Sequence, residues 1–131
     1  MNKENIRILI VDDLSSMRRV VSAFLIDLGY RHISQDENGK YALATLRREK
    51  FDMVVTDWNM PGMTGLELVS EIRNDPDLQH LPVLLITGEA RKENILAAAK
   101  AGASGYVVKP FSMTVLGEKV ERLLMRGGTA G

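Results

Sequence analysis

The sequence predicts an α/β fold, a parallel sheet covered on both faces by helices, and three observations carry that expectation. Short β-branched runs alternate with longer segments of helical period. The runs are near-continuously apolar, without in–out alternation, which marks strands buried on both faces. The connections are short, so consecutive units must wind as right-handed β-α-β crossovers into a doubly wound, three-layer sandwich.

Taken in order, residues 6–11 (IRILIV) read as the first buried strand. Residues 15–28 read as the first helix, with Ser15 or Ser16 available to cap its start and Gly29 to stop it. Residues 32–36 carry only Ile33 as an apolar side chain and fit an edge strand. A helix over 40–48, a strand over 53–56 (MVVT), a helix over 65–74 and a strand over 83–86 (VLLI) follow. A helix over 91–100, a short strand over 105–108 (GYVV) and a last helix over about 114–125 complete the chain, leaving 126–131 (RGGTAG) as an expected frayed tail. This is a single domain over 1–131 with its core at about 6–125, and no repeat or linker divides it.

Composition narrows the partners. Lys plus Arg and Asp plus Glu both count 17 in 131 residues, so no global field draws the chain to nucleic acid or to an anionic membrane. The start is too short and too charged for a signal peptide or a membrane span. The absence of cysteine fits a reducing compartment. The expectation is a cytoplasmic monomer.

In open α/β sheets, ligands bind beyond the carboxyl ends of the strands. Asp12 and Asp13 follow the first strand, Asp57 the third, Thr87-Gly88-Glu89 the fourth and Lys109-Pro110-Phe111 the fifth. Each has an ordinary explanation. The aspartates favour the positive end of a helix, Asp57 begins a turn completed by Pro61-Gly62, Thr87 caps, and Lys109 is a solvated loop charge. Together they are harder to dismiss, because carboxylates crowded in one cleft cannot all stay ionised without a compensating cation. Mg2+ fits, since it takes oxygen ligands and uses one or two carboxylates plus a phosphate. His32 and His80 are far apart in sequence and read as surface residues, so a zinc site is not expected. A carboxylate nucleophile in line with phosphorus forms an aspartyl-phosphate, and phosphoryl transfer asks the protein mainly for positioning and charge neutralisation, the part open to Lys109 and Mg2+. Thr87 is placed to donate a hydrogen bond to a phosphoryl oxygen.

The set Asp12-Asp13, Asp57, Thr87 and Lys109-Pro110 resembles that of the response-regulator receiver domains of two-component signalling, over about residues 6–125. The stretches VDDLSSMRR, DWNMPGM, LPVLLITGEA and KENILAAAKAGASGYVVKPF, with no output domain, are most similar to the stand-alone CheY-type chemotaxis regulators. The resemblance, and not the periodicity, implies a flavodoxin-like strand order of 2-1-3-4-5. It implies that Asp57 takes a phosphoryl group from a phosphohistidine on a CheA-like sensor histidine kinase. Mg2+ would be held by Asp13, Asp57 and the Asn59 backbone carbonyl, with Asp12 acting largely through water. Lys109 would pair with the acceptor across a cis Lys109-Pro110 bond, Thr87 and Tyr106 would move together on activation, and Asn59 and Glu89 would tune how long the phosphate lasts. The output surface it implies is Lys92, Ile95, Ala99, Tyr106 and Lys119, which in such regulators binds the flagellar motor switch protein FliM and, in some species, the phosphatase CheZ. On that surface Ile95 is expected to face outward and Leu96 inward.

Two other classes compete. An aspartyl-phosphate hydrolase needs a second Asp two residues after the nucleophile as general acid, and Asn59 stands there. Slow turnover follows, which suits a switch better than an enzyme. A flavodoxin-type cofactor carrier needs a glycine- and hydroxyl-rich loop after the first strand, and Asp12-Asp13 would repel its phosphate. A phosphate sink, or a relay in another pathway, remains open as a second role for the same domain. Trp58 is expected to be partly exposed beside Asp57 and to report ligand binding by fluorescence. Gly88 and Gly117 are expected to loosen the fourth strand's loop and the last helix, the latter by about 1 kcal/mol against Ala.

Overall fold

The computed structural model describes residues 2–130. After a single 3-10 turn at Lys3–Asn5, five strands and five helices alternate: β1 Arg7–Val11, α1 Ser15–Asp27, β2 His32–Asp36, α2 Gly39–Arg48, β3 Met53–Asp57, α3 Gly65–Asn74, β4 Val83–Thr87, α4 Lys92–Ala101, β5 Gly105–Val108 and α5 Met113–Ala130. All pairings are parallel and the order is β2-β1-β3-β4-β5, as the resemblance implied.

Pleating splits the core in two. Ile8 and Ile10 of β1 pack with Val21 and Leu25 of α1 and Leu116 and Val120 of α5 on one face. Leu9 and Val11, which point the other way, pack with Leu43 and Leu46 of α2, Leu68 and Ile72 of α3 and Ala98 of α4. Strands β3 and β4 are buried at every position, which explains their unbroken apolar runs. Strand β2 pairs only with β1 and stays half-exposed, as its polar sequence anticipated. His32 and His80 are both exposed.

Local signals close most of the helices. The Asn38 side chain accepts the Tyr41 amide at the start of α2. Thr64 and Glu67 form a reciprocal capping box on α3. Gly29 and Gly102 end α1 and α4 with φ of 107° and 100°, a region that favours glycine.

Three expectations are corrected. Neither Ser15 nor Ser16 caps α1: the N-cap is Leu14, and its amide is taken instead by Asp12 Oδ1 at 3.0 Å. Helix α5 does not end near Met125 but continues to Ala130, since Gly127 and Gly128 weaken a helix without forbidding it; Gly131, the end of the expected tail, lies outside the described residues. Gly117, expected only to weaken the last helix, has a packing role. A Cβ there would sit 3.0 Å from Leu28 Cδ2, so the glycine lets α5 approach the end of α1 closely.

One residue ties the lower parts of three elements together. The Arg73 guanidinium, at the end of α3, donates to Gly102 O at 2.8 Å, Leu81 O at 2.6 Å, Gln79 O at 3.0 Å and Ser104 Oγ at 3.2 Å. Burial lowers its pKa from the ordinary value, but these carbonyls hold the charge in place.

Candidate functional site

The parallel register brings the ends of β1, β3 and β4 to one edge. Asp12 follows β1, Asp57 closes β3, Thr87 closes β4, and Lys109 follows β5. Asp12 and Asp57 are 2% and 4% exposed, which is rare for carboxylates. Asp13, by contrast, is exposed. One carboxylate oxygen from each of Asp12, Asp13 and Asp57 lies within 4.8 Å of the others. The Lys109 ammonium reaches in from the far side, 2.9 Å from Asp57 Oδ1, along a loop whose Lys109-Pro110 bond is cis.

One ammonium does not neutralise three carboxylates. Burial is the largest influence on Asp12 and pushes its pKa from 3.8 to about 6, with Asp57 and Asp13 adding to the rise and the Leu14 amide and Lys109 opposing it. Asp12 Oδ1 accepts the Leu14 amide, while Oδ2 is buried without a hydrogen-bond partner among the described residues. A buried, partnerless carboxylate oxygen within reach of two other carboxylates is the donor set a small hard cation needs. The residues present therefore fit Mg2+.

The loop that follows Asp57 is closely packed at one point. Gly65 donates its amide to Trp58 O at 2.8 Å, and a Cβ on Gly65 would lie only 2.1 Å from Asp57 O. Glycine there lets the start of α3 fold back against the Asp57 backbone. Met60 is buried beneath the loop, Trp58 is half-buried as expected, and Asn59 is exposed.

Thr87 is 6% exposed, and its hydroxyl is engaged by its own loop. It accepts from Glu89 N at 3.2 Å and donates to Glu89 O at 3.0 Å. The Glu89 carboxylate is drawn to Arg91 Nε at 2.7 Å, an exposed pair. Nothing crowds Gly88: an added Cβ would meet no atom within 4 Å. Tyr106 borders a small cleft with Trp58, Thr87, Asn94, Ile95 and Ala98. Its ring lies 5.5 Å from Lys119 Nζ, a cation–π distance.

On α4 the sequence reading is reversed. Leu96 is 54% exposed, whereas Ile95 is half-buried beside Tyr106. The inward residue is Ala98, one turn on from Ile95, because α4 lies close to the sheet and its core face is built from small side chains. Lys92 and Ala99 are exposed on the same helix. The structure thus brings Ile95, Tyr106 and Lys119 together and adds Leu96 to the surface beside them. Sequence reasoning also missed Arg18, Arg73, Arg91 and Gly65. Their partners lie on other elements or in loop geometry, and no local pattern marks them.

Comparison with known proteins decides the family. Residues 8–121 match the model of the response regulator receiver domain. The chain belongs to that family. This receiver domain is 52% identical over 126 residues to "Chemotaxis protein CheY-3" of Vibrio cholerae, covering 96% of both chains. The crystal structure of the Vibrio cholerae chemotaxis protein CheY4 matches it with a TM-score of 0.85 at 36% identity, covering 90% of this chain and 98% of that one. The response regulator TrrA of Thermotoga maritima, solved in complex with Mg(2+)-BeF, matches with a TM-score of 0.80 at 36% identity over 90% of this chain and 98% of the other. Among the described residues, no helix of this receiver domain is long and apolar enough to cross a membrane.

Proposed function

We propose that the chain is a chemotaxis response regulator, phosphorylated on Asp57 by a CheA-like sensor histidine kinase and read out by the flagellar motor switch. The observation that carries the proposal is the buried Asp12–Asp57 cluster, with Lys109 on one Asp57 oxygen and an Asp12 oxygen left without a partner. The names of the most similar relatives support the chemotaxis assignment.

Asp57 attacks the phosphorus of a phosphohistidine, the phosphorus–nitrogen bond breaks, and the imidazole leaves. Lys109 stays beside the acceptor and balances the charge that collects on the phosphoryl oxygens. Mg2+, held by Asp13, Asp57 and the Asn59 carbonyl with Asp12 behind them, would supply the remaining charge neutralisation. Thr87 exchanges its bonds to Glu89 for one to the phosphoryl group. The cleft shared by Thr87, Ile95 and Tyr106 gives that movement a route to the output surface, with Tyr106 turning inward. Asn59 cannot serve as an acid or base, and with Glu89 it tunes a slow loss of phosphate, as a switch requires and an efficient hydrolase does not. In this role the chain works in the cytoplasm as a monomer.

The exposed Leu96 joins Lys92, Ile95, Ala99, Tyr106 and Lys119 in a small apolar surface with a basic rim, suited to an amphipathic acidic segment such as the FliM N-terminus, and in some species CheZ. Binding of a FliM N-terminal peptide to the phosphorylated chain should tighten relative to the unphosphorylated chain, and Ile95→Asp should abolish the gain. If phosphorylation leaves peptide affinity unchanged, the motor output is wrong and a phosphate sink or another pathway's relay takes its place.

A further inference from the structure

We infer that Arg18 is a positioning residue for the cation site, acting through the main chain of Asp12 and not through its charge; the inference rests on the functional reading above. Arg18 lies in the second turn of α1, half-buried. Its Nη1 donates to Asp12 O at 2.6 Å, and its Nε donates to Gln35 Oε1 on the neighbouring strand β2 at 3.2 Å. The Asp12 amide donates in turn to Asp36 O at 3.2 Å, and Asp12 Oδ1 accepts from Leu14 N at 3.0 Å. Asp12 is thereby gripped at its amide, its carbonyl and one carboxylate oxygen. The remaining oxygen, Oδ2, is buried without a hydrogen-bond partner among the described residues, in a side chain that brings one oxygen within 4.8 Å of Asp13 and Asp57.

The Asp12 carbonyl is also part of the peptide that leads into Asp13, the exposed carboxylate of the cluster. Arg18 holds that peptide from α1 while Gln35 holds Arg18 from the sheet edge. A short charge-assisted bond to a ligand's own backbone fixes where two carboxylates sit before a cation arrives. Outer partners of this kind commonly change metal affinity by about 10–100-fold when removed.

The sign of the effect separates positioning from electrostatics. Deleting a positive charge near an acidic cluster, by Coulomb's law alone, strengthens the attraction for Mg2+. Loss of positioning weakens it.

The test is calorimetric titration of the full chain with MgCl2, with Trp58 emission as a second readout, for the wild type, Arg18→Ala, Arg18→Lys and Gln35→Ala. We expect Arg18→Ala to bind Mg2+ about 10-fold more weakly, and Arg18→Lys, which restores one donor, to recover part of the loss. Gln35→Ala should weaken binding less than Arg18→Ala. If Arg18→Ala does not fold, as judged by far-UV circular dichroism, Arg18→Gln takes its place with the same expectation. Unchanged or tighter Mg2+ binding in the Arg18 variants overturns the inference and leaves the functional reading standing. Absence of Mg2+ binding in the wild type overturns both.

Discussion

Asp12→Asn isolates the electrostatic strain within the carboxylate cluster. The substitution keeps an oxygen for the Leu14 amide and replaces the partnerless Oδ2 with an uncharged amide nitrogen in the cluster with Asp13 and Asp57. In the native chain the Asp12 pKa is about 6 against an ordinary 3.8. Because the folded value lies above the unfolded one, the folded state binds the proton more tightly. The stabilisation from that proton is fully present below pH 3.8 and is lost as pH rises through about 6. Two units at about 1.4 kcal/mol each amount to roughly 3 kcal/mol of strain at neutral pH without metal. Thermal unfolding by circular dichroism in EDTA at pH 7.5 should show Asp12→Asn melting up to about 10 °C higher than wild type. The gap should narrow through pH 6 and close near pH 4. An Asp12→Asn melting temperature equal to or below wild type at pH 7.5, or a gap independent of pH, would refute the reasoning.

Two further substitutions probe the scaffold. Arg73→Ala removes donors to three backbone carbonyls and to Ser104, and should lower stability by about 2–4 kcal/mol in urea titration; a loss below about 1 kcal/mol would deny Arg73 its role as a clamp. Gly65→Ala places a methyl within the Asp57 backbone, so it should cost about 1–3 kcal/mol and weaken Mg2+ binding, measured by denaturant midpoint and by Trp58 emission; wild-type values in both would contradict the close approach.

Most of the fold was legible because its signals are local. The unbroken apolar runs of β1, β3 and β4 announce burial on both faces, and the scarcity of apolar residues in β2 announces an edge. The convergence of the candidate site was legible for a topological reason: in a parallel sheet every strand ends at the same edge, so Asp12, Asp13, Asp57, Thr87 and Lys109 come together whatever the details. The failures share a cause as well. Helix α4 turns Leu96 outward because Ala98 packs closely on the sheet, and spacing alone ranks the larger side chain as the inward one. The start of α1 is held by Asp12, a residue outside the helix, so counting serines near its start misled. Gly117 accommodates Leu28, and Arg18 and Arg73 bond to distant main chain; such contacts exist only after folding. The Thr87 hydroxyl, turned onto Glu89, could not be read from the sequence for the same reason.

The central claim is that Asp57 accepts a phosphoryl group with Mg2+ at its side. Incubation with a radiolabelled small phosphodonor and Mg2+, followed by acid-quenched mass and label analysis, tests it directly. The account predicts one phosphate per chain that survives the acid quench and is released by alkali, lasting seconds or longer, absent in Asp57→Asn and absent when EDTA removes the metal. Label that persists in Asp57→Asn, or forms equally without Mg2+, would contradict it.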